Sequence, residues 1–395
     1  MSECSYVVKY GPDNLPLWQK TKQSFLGNHQ IIELTERCNN NCLHCNINRP
    51  ADDASAKARE LTTDEWKHIF RQIAELGILS VCFTGGEPLL RDDFPELYLF
   101  ARKQGLMVLI FTNGRLITPQ LADLLARIPP LEPIEISVYG MRRKSYEAVT
   151  RAPGSYAEFR RGIDLLLERK IPFIVKGALL PPNRGEMEEF KAWAKTIPWM
   201  DAPPAYSMFF DLRCRRDSKT RNRLISGLRI SPDEGLSILA REKRFREEMV
   251  KFCARFMRPA GDRLFTCGAG HGGCIDAYGK FQVCMLVRHP DLVYALKKGS
   301  LKDALKVMLP RLRPMRAANS RYLERCARCF LHGLCEQCPG TSWSEHGTLD
   351  TPVEYFCRVA HAQALWLGLL ARGEKAWMVK DWKERIMAIA KVNRL

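Results

Sequence analysis

The sequence lacks a long apolar run. Its longest uninterrupted stretch, ALWLGLLA, covers only Ala364–Ala371, which is far short of the roughly 20 residues that span a bilayer. The opening residues, MSECSYVVKYGPDNLP, contain no apolar core of the kind that marks a secretory signal peptide. We therefore expect no membrane span, no signal peptide and a cytoplasmic location.

Internal repeats and low-complexity tracts are also missing. Hydrophobic residues make up 46% of the chain and charged residues 27%, which excludes a collagen-like, coiled-coil or largely disordered protein. The 395 residues exceed the roughly 100–200 residues of a typical domain. The sequence therefore predicts one large globular domain and a smaller one.

Acidic residues are outnumbered by basic ones. The chain has 44 Asp and Glu against 61 Lys and Arg, a formal net charge of +17. Such an excess favours anionic partners in general. It does not by itself indicate nucleic acid.

The first half of the chain alternates short apolar strands with amphipathic helices. One helix is predicted over Leu61–Leu76, where Thr62 and Glu65 form a capping-box pattern. Its apolar residues recur at helical spacing, at Trp66, Ile69, Phe70 and Ile73. Alternation of this kind predicts an α/β fold with a parallel sheet, open or curled into a barrel. The six predicted strands are Ile31–Thr35, Leu79–Phe83, Leu106–Phe111, Ile134–Val138, Ile171–Leu180 and Ala205–Leu212.

The alternation stops beyond about residue 230. A helical stretch, Pro232–Met257, leads into a region rich in Gly and Cys, and such regions are usually held together by metal. The last residues read as helices that pack on the sheet domain, with a peripheral membrane contact as the alternative. We therefore divide the chain into a lead segment (1–29), a core (30–230), a helical bridge (231–262), a small cysteine-rich domain (263–358) and C-terminal helices (359–395).

Fifteen cysteines are present, and most of them are clustered. In a reducing compartment, clustered cysteines are metal ligands or catalytic groups more often than disulfides. Cys38, Cys42 and Cys45 follow the first predicted strand. Three thiolates can hold three corners of an iron–sulfur cubane and leave one iron open. A zinc site completed by His44, or unpaired structural cysteines, are the alternatives.

Other special residues follow the next strands, at the ends where parallel sheets carry their chemistry. The turn after the second strand contains Gly85, Gly86, Glu87 and Pro88. Two glycines allow a backbone to approach a ligand closely, and a carboxylate can accept hydrogen bonds from an ammonium group. Asn113 follows the third strand and Ser137 ends the fourth.

With these residues the chain resembles the radical S-adenosylmethionine (SAM) enzymes over roughly residues 30 to 215. The resemblance implies a partial (β/α)6 barrel, in which the open iron of a [4Fe-4S] cluster chelates SAM. One-electron reduction would cleave SAM to methionine and a 5′-deoxyadenosyl radical, which abstracts a hydrogen from the substrate.

The resemblance also assigns SAM contacts by position. Glu87, with the turn Gly85–Pro88, would hold the methionyl ammonium, and Arg151 would meet the carboxylate. Ser137 would contact the ribose, and the backbone around His44 would lie near the adenine. Asn113 is a further SAM contact or simply a turn residue.

The cysteines of the second half resemble the SPASM extension of radical SAM enzymes, whose pattern is CX9-15GX4C, then CX2CX5CX3C, then C. This chain departs once, with CX2CX5CX2C. The family's connectivity implies two further [4Fe-4S] clusters, three in all, with a pair of zinc ribbons as the alternative. Auxiliary cluster I would be held by Cys267, Cys274, Cys284 and Cys338. Auxiliary cluster II would be held by Cys326, Cys329, Cys335 and Cys357.

SPASM enzymes mostly modify peptides or proteins, so the resemblance implies a radical SAM oxidoreductase or peptide maturase. Crosslinking, epimerisation and oxidation are not distinguished. Sulfatase maturases carry an Asp where this chain has Met285, so we rank that activity low. The alternative is a multi-cluster electron-transfer protein, or a zinc-stabilised binding protein, without SAM chemistry.

Partners are implied in the same way. Only 37 residues precede Cys38, fewer than the leader-binding domain of many peptide maturases, so any leader recognition would need a separate partner protein or another surface. A flavodoxin or ferredoxin would donate electrons.

Two basic stretches are present, Arg213–Arg229 and Arg311–Arg328. The first lies just past the sixth strand and could steer an acidic peptide, or be a solvated loop or helix face. The second is more typical of an ordinary surface. Neither interleaves aromatic residues as a single-strand binding face would, so we do not expect a nucleic-acid partner.

Four cysteines stay outside these groups: Cys4, Cys82, Cys214 and Cys253. Peptide epimerases of the superfamily quench the substrate radical with a thiol, and Cys214 is the candidate hydrogen donor because it follows the sixth strand. Cys82 lies within an apolar strand and is expected to serve packing.

Overall fold

The structure is a computed structural model, and it describes residues 29–242, 244–267, 269, 272–335 and 337–392. The predicted lead segment lies outside the described residues except for His29, and so does Cys4. None of the described helices combines the length and apolar composition needed to cross a bilayer.

Eleven strands are found in the described part of the chain, and nine of them share one sheet. The sheet order is β11-β10-β9-β1-β4-β5-β6-β7-β8, while β2 and β3 form a separate pair. In chain order the strands are β1 (His29–Thr35), β2 (Arg37–Cys38), β3 (Arg49–Pro50), β4 (Ser80–Gly85), β5 (Met107–Thr112), β6 (Ile134–Val138), β7 (Phe173–Ala178), β8 (Tyr206–Ser207), β9 (Cys274–Ile275), β10 (Lys280–Gln282) and β11 (Val293–Ala295).

The six predicted strands of the first half are confirmed as β1, β4, β5, β6, β7 and β8, and neighbouring strands among them pair in parallel. The last strand is much shorter than predicted. Met208, Phe210 and Leu212 are still buried alternately. However, β8 is the edge of the sheet, and beyond Ser207 its pairing with β7 ends.

Helices connect these strands and cover one face of the sheet. They are α1 (Ala54–Arg59), α2 (Thr63–Glu75), α3 (Phe94–Lys103), α4 (Pro119–Arg127), α5 (Arg143–Thr150), α6 (Ser155–Glu168), α7 (Met187–Ala194) and α8 (Lys219–Leu228). The capping box predicted for α2 is present between Thr62 and Glu65. Its predicted apolar face is buried, with Trp66 and Phe70 fully inside the core. The local sequence pattern therefore specifies this helix correctly.

The cysteine-rich region adds three strands to the same sheet. β9 pairs in parallel with β1, through Ile31 with Cys274 and Ile32 with Ile275, and β10 and β11 continue antiparallel from it. Phe281 of β10 belongs to the same hydrophobic core as β1 and α2. Sheet and core thus continue across the boundary that we predicted near residue 262.

The remaining helices are α9 (Pro232–Leu239), α10 (Phe245–Phe256), α11 (Leu301–Leu312), α12 (Ser320–Glu324), α13 (Pro339–His346), α14 (Glu354–Leu367) and α15 (Trp382–Val392). The predicted helical bridge is formed by α9 and α10. The packing predicted for the C-terminal helices was wrong except at the start of α14, where Tyr355 stacks edge-on against Phe209. Most of their apolar residues, such as Ala364 and Ile386, instead join Val250 of α10 and Phe330 of the cysteine-rich region in a second core.

Candidate functional site

One face of the sheet carries the candidate site. Cross-strand partners point to the same side of a sheet, and Glu33 pairs with Thr84, Ser137 with Lys176, and Ala178 with Ser207. A cavity of about 1210 Å³, open to solvent, lies on this face, and we call it the barrel cavity. Its lining includes Cys38, Cys42, Cys45, Thr84, Ser137 and Lys176.

The three predicted cluster ligands meet at the barrel cavity. Cys38 and Cys42 are buried, and burial raises the pKa of both thiols, that of Cys42 to about 12. The neighbouring Cys45 thiol raises both pKa values further. The hydrogen bond between the Tyr139 hydroxyl and Cys42 lowers the pKa of Cys42. A donor set made only of sulfur suits an iron–sulfur cluster, whose binding would displace the thiol protons.

Zinc bound by the same cysteines and His44 is not favoured. No three His, Cys, Asp or Glu side chains within the described ranges group closely enough to hold a single metal ion, and this holds for the predicted cluster thiols as well as for a zinc site. His44 instead packs between Tyr139 and Phe210, with ring centroids 5.8 and 5.3 Å away. Burial lowers its pKa to about 4, so the imidazole is neutral. Its Nδ1 is buried without a hydrogen-bond partner in the described structure.

Gly85 and Gly86 serve a purpose that we did not predict. A Cβ on Gly85 would lie 2.0 Å from the carbonyl oxygen of Thr35, and one on Gly86 would lie 2.2 Å from that of Arg37. The Gly86 N–H donates to the Thr35 carbonyl at 2.7 Å. Both glycines line the barrel cavity. However, the close approach that they permit is to the base of the cysteine loop rather than to a ligand.

Glu87 is fully engaged inside the protein. Its carboxylate accepts hydrogen bonds from the Thr112 hydroxyl (2.7 Å) and from the backbone N–H groups of Asn113 (2.8 Å) and Leu89 (3.1 Å). Burial raises the pKa of Glu87 to about 7, although these three hydrogen bonds act to lower it. Neither Glu87 nor Pro88 lines the barrel cavity. In this structure Glu87 therefore joins the glycine turn to the end of β5.

The other predicted SAM contacts divide in the same way. His44, Asn113 and Ser137 line the barrel cavity, and the Asn113 side chain donates to Asn39 at 2.8 Å. Arg151 does not line it. That residue has a left-handed backbone (φ 51°) and an exposed side chain, which donates to the carbonyl and side-chain oxygens of Asn41.

Sequence reasoning missed Lys176, which lines the cavity from β7. Its ammonium pairs with Glu135 at 2.5 Å and lies 3.5 Å from the centre of the Phe111 ring. A signal for it existed, because Lys176 is the one charged residue in the apolar segment IPFIVKGALL.

Five arginines hold the cysteine loop from outside. Each guanidinium donates to a loop carbonyl: Arg115 to Asn39, Arg151 to Asn41, Arg221 to Cys42, Arg213 to Cys45 and Arg215 to Ile47. Three of them come from the basic stretch Arg213–Arg229, for which steering of an acidic peptide and a solvated loop or helix face were the two interpretations, and Arg229 of the same stretch pairs with Glu345. Most of the seven cations in this stretch therefore bond within the protein.

The predicted ligands of auxiliary cluster II also come together. One pocket is lined by Cys326, Cys329, Cys335 and Cys357. Burial raises the pKa of these thiols, and Arg325 donates to the Cys357 sulfur at 3.5 Å. Four thiols around one pocket fit a fully ligated cluster.

Within the described residues, the predicted ligands of auxiliary cluster I are not brought around one pocket as those of cluster II are. Burial raises the pKa of Cys284 to about 11, and the thiols of Cys338, Cys267 and Cys214 add to the effect. Cys274 is buried on β9, and burial raises its pKa as well. Cys214 accepts a hydrogen bond from the Arg288 Nε at 3.2 Å and does not line the barrel cavity. The structure thus places the proposed hydrogen donor outside the barrel cavity.

Comparisons with known proteins agree with this arrangement. The Radical SAM superfamily profile matches residues 32–194. An AdoMet-dependent heme synthase of Methanosarcina barkeri is 33% identical over 178 residues, 45% of this chain and 49% of that protein. A PqqA peptide cyclase of Bradyrhizobium diazoefficiens is 36% identical over 144 residues, 35% of this chain and 37% of that protein. The chain thus spans half or less of the length of these curated relatives.

Similarity of fold extends over most of the chain. The solved structure of native anSMEcpe with bound AdoMet covers 92% of this chain and 99% of its own, with a TM-score of 0.62 at 12% identity. The same protein has also been solved with AdoMet and the Kp18Cys peptide. The fold is that of a parallel-sheet core, matched by the Radical SAM superfamily profile over residues 32–194, joined to a cysteine-rich region. Residues 32–194 of this chain are a radical SAM domain.

Proposed function

We propose that this protein is a radical SAM enzyme that abstracts a hydrogen atom from a peptide or protein substrate and so modifies it after translation. The observation that carries the proposal is the barrel cavity, where Cys38, Cys42 and Cys45 meet the glycine turn within the radical SAM domain. A cavity with three thiols and open space leaves room for a cluster, SAM and part of a substrate.

The residues have distinct roles in this proposal. Cys38, Cys42 and Cys45 would hold the SAM-binding [4Fe-4S] cluster, which when bound supplies one-electron cleavage of SAM. His44, Tyr139 and Phe210 form an aromatic wall of the barrel cavity beside the thiols. Ser137 on β6 and Lys176 on β7 add polar groups to the lining of the barrel cavity.

A peptide substrate is supported by the relatives named PqqA peptide cyclase and by the peptide complex of the similar fold. The proposed modification is a crosslink, an epimerisation or an oxidation. We further propose that a flavodoxin or ferredoxin donates the electrons and that a separate protein binds the leader of the substrate. A tetrapyrrole is the second candidate substrate, because the alignment with the heme synthase is longer than that with the cyclase.

The direct test is anaerobic reconstitution followed by iron and sulfide counting, and incubation with SAM and dithionite while 5′-deoxyadenosine is measured. Three clusters predict about 12 iron atoms per chain, and the enzyme proposal predicts 5′-deoxyadenosine. Zinc in place of iron, or iron without SAM cleavage, would favour an electron-transfer or binding protein instead.

Replacing Cys335 with alanine tests auxiliary cluster II. This thiol lines the four-cysteine pocket, so its loss is expected to reduce the iron content from about 12 to about 8 per chain and to remove one cluster from the EPR spectrum. Cys253→Ala is the matched control, because Cys253 is buried in the apolar core of α10. An unchanged iron count in Cys335→Ala would contradict the assignment.

Replacing Arg221 with glutamine tests whether this arginine lies beside a cluster bound by the cysteine loop. Arg221 donates to the Cys42 carbonyl and the Asn48 side chain, both at 2.9 Å. Removing its positive charge makes electron gain by a nearby cluster less favourable, so a redox titration followed by EPR should show a lower reduction potential. Arg223→Gln on the same helix is exposed and should leave the potential unchanged. Equal reduction potentials in the two variants would contradict the position of Arg221 beside the cluster.

A further inference from the structure

A second large cavity lies on the same face of the sheet, beside the cysteine-rich region. Gln282 pairs with Cys274, which pairs with Ile31, two residues before Glu33. These residues therefore share the face that carries the barrel cavity. The second cavity is open to solvent and measures about 1540 Å³ with the solvent at its mouth included, and we call it the basic cavity. Its lining includes Glu36, Arg215, Gln282, Arg288, Lys298 and Arg311.

Positive charge dominates this lining. The basic residues are Arg49, Arg59, Arg215, Lys280, Arg288, Lys298 and Arg311, and the acidic ones are Glu36, Asp217 and Asp276. Each of these acidic groups is paired with an arginine. Arg288 lies 2.9 Å from Glu36 and 3.7 Å from Asp276, and Arg213 lies 2.6 Å from Asp217. Lys280, Lys298 and Arg311 form no ion pair with any described residue, so the cavity keeps an excess of unpaired cations.

A buried acceptor in the same cavity also lacks a partner. Gln282 is only 1% exposed. Its Nε2 donates to Asp276 at 3.2 Å, but its Oε1 has no hydrogen-bond partner among the described residues. Leaving a buried acceptor unsatisfied is unfavourable. A ligand that fits this cavity would therefore bring an N–H donor as well as negative charge.

We propose that the basic cavity binds an acidic segment of the peptide substrate. Lys280, Lys298 and Arg311 would attract its carboxylates, and the Gln282 Oε1 would accept a backbone N–H. The proposal rests on the peptide substrate argued above and names its chemical class. Glu36, Arg215 and Arg288 line the basic cavity as one ion-pair network, and Arg215 also donates to the carbonyl of Ile47, which lines the barrel cavity. A segment held in the basic cavity would thus lead the chain along one face toward the cysteine loop.

The test uses the reconstituted protein and a fluorescein-labelled octaglutamate peptide, with octaglutamine as the uncharged probe and fluorescence anisotropy as the readout. Octaglutamate should bind, and octaglutamine should bind much more weakly. Lys298→Glu/Arg311→Glu changes two exposed residues and should weaken octaglutamate binding by about tenfold or more. Lys251→Glu/Lys383→Glu makes the same charge change on exposed residues elsewhere and should bind like the wild type.

Two results would overturn the proposal. The first is equal octaglutamate affinity in the two double variants, which would indicate attraction to net charge alone. The second is binding of coproporphyrin III, a tetrapyrrole with carboxylate side chains, that is lost in Lys298→Glu/Arg311→Glu while octaglutamate does not bind. That result would assign the basic cavity to a different class of substrate.

Binding is measured without reduction of the cluster, so it fails independently of the proposed function. SAM cleavage without octaglutamate binding would leave the enzyme proposal intact and reject the acidic segment. Octaglutamate binding without SAM cleavage would support the acidic-segment site and reject the enzyme proposal.

Discussion

Replacing Cys42 with alanine is expected to abolish 5′-deoxyadenosine formation. Cys42 is 4% exposed and stands between the other two thiols of the loop in the sequence. Without it, only Cys38 and Cys45 could hold the cluster, and two ligands do not define a site with a single open iron. The measurement is the amount of 5′-deoxyadenosine formed from SAM and dithionite, together with the iron content per chain.

Cys82→Ala provides the control for losing a buried thiol. Cys82 is 2% exposed and lies within β4, where it pairs with Ile31 and Leu109. Its replacement should lower stability slightly and leave both SAM cleavage and iron content unchanged. If Cys42→Ala still cleaved SAM at the wild-type rate, the SAM-binding cluster would have to lie elsewhere in the chain.

Replacing Gly86 with alanine is expected to destabilise the protein by about 2–4 kcal/mol, because overpacking and lost backbone hydrogen bonds act together. The added Cβ would lie 2.2 Å from the Arg37 carbonyl oxygen and 2.6 Å from that of Glu36. Both neighbours are backbone atoms, so neither can move away as a side chain could. The Glu87 N–H also donates to Arg37, at 2.9 Å, and the shift would weaken that bond too.

Thermal and urea unfolding measure this loss, and iron retention reports whether the cysteine loop has moved. Gly227→Ala is the control, since Gly227 is exposed in α8 and has nothing within 4 Å of an added Cβ. That substitution should stabilise the protein by about 0.5–1 kcal/mol. Wild-type stability in Gly86→Ala would mean that the turn and the cysteine loop are not in contact.

Much of the core could be predicted from local sequence. Helix α2 and its capping box follow from the spacing of apolar residues around Thr62 and Glu65, because side chains within a few residues determine them. The alternation of strands and helices likewise predicted the parallel sheet. Pairing of β9 with β1 joins residues more than 240 positions apart. The two-residue strand β9 carries no pattern that could reveal it.

The candidate site divides along the same line. The cysteines were found by their spacing. The three loop thiols line the barrel cavity, and the four predicted thiols of auxiliary cluster II line a separate pocket. The direction of a side chain is not encoded in such a pattern. Glu87 and Arg151 occupy the predicted positions, yet Glu87 bonds to Thr112 and Arg151 to Asn41. The basic stretch Arg213–Arg229 likewise shows charge without showing which carbonyls receive it.

The pairing of β9 with β1 has a consequence for how this fold avoids self-association. Without the cysteine-rich region, β1 would be an edge strand with the apolar residues Ile31 and Ile32 and a free row of backbone donors and acceptors. Such edges recruit strands from other molecules. Cys274 and Ile275 occupy that edge, and the short hairpin beyond them becomes the new boundary of the sheet. The cysteine-rich region therefore protects the core against aggregation, whatever clusters it carries.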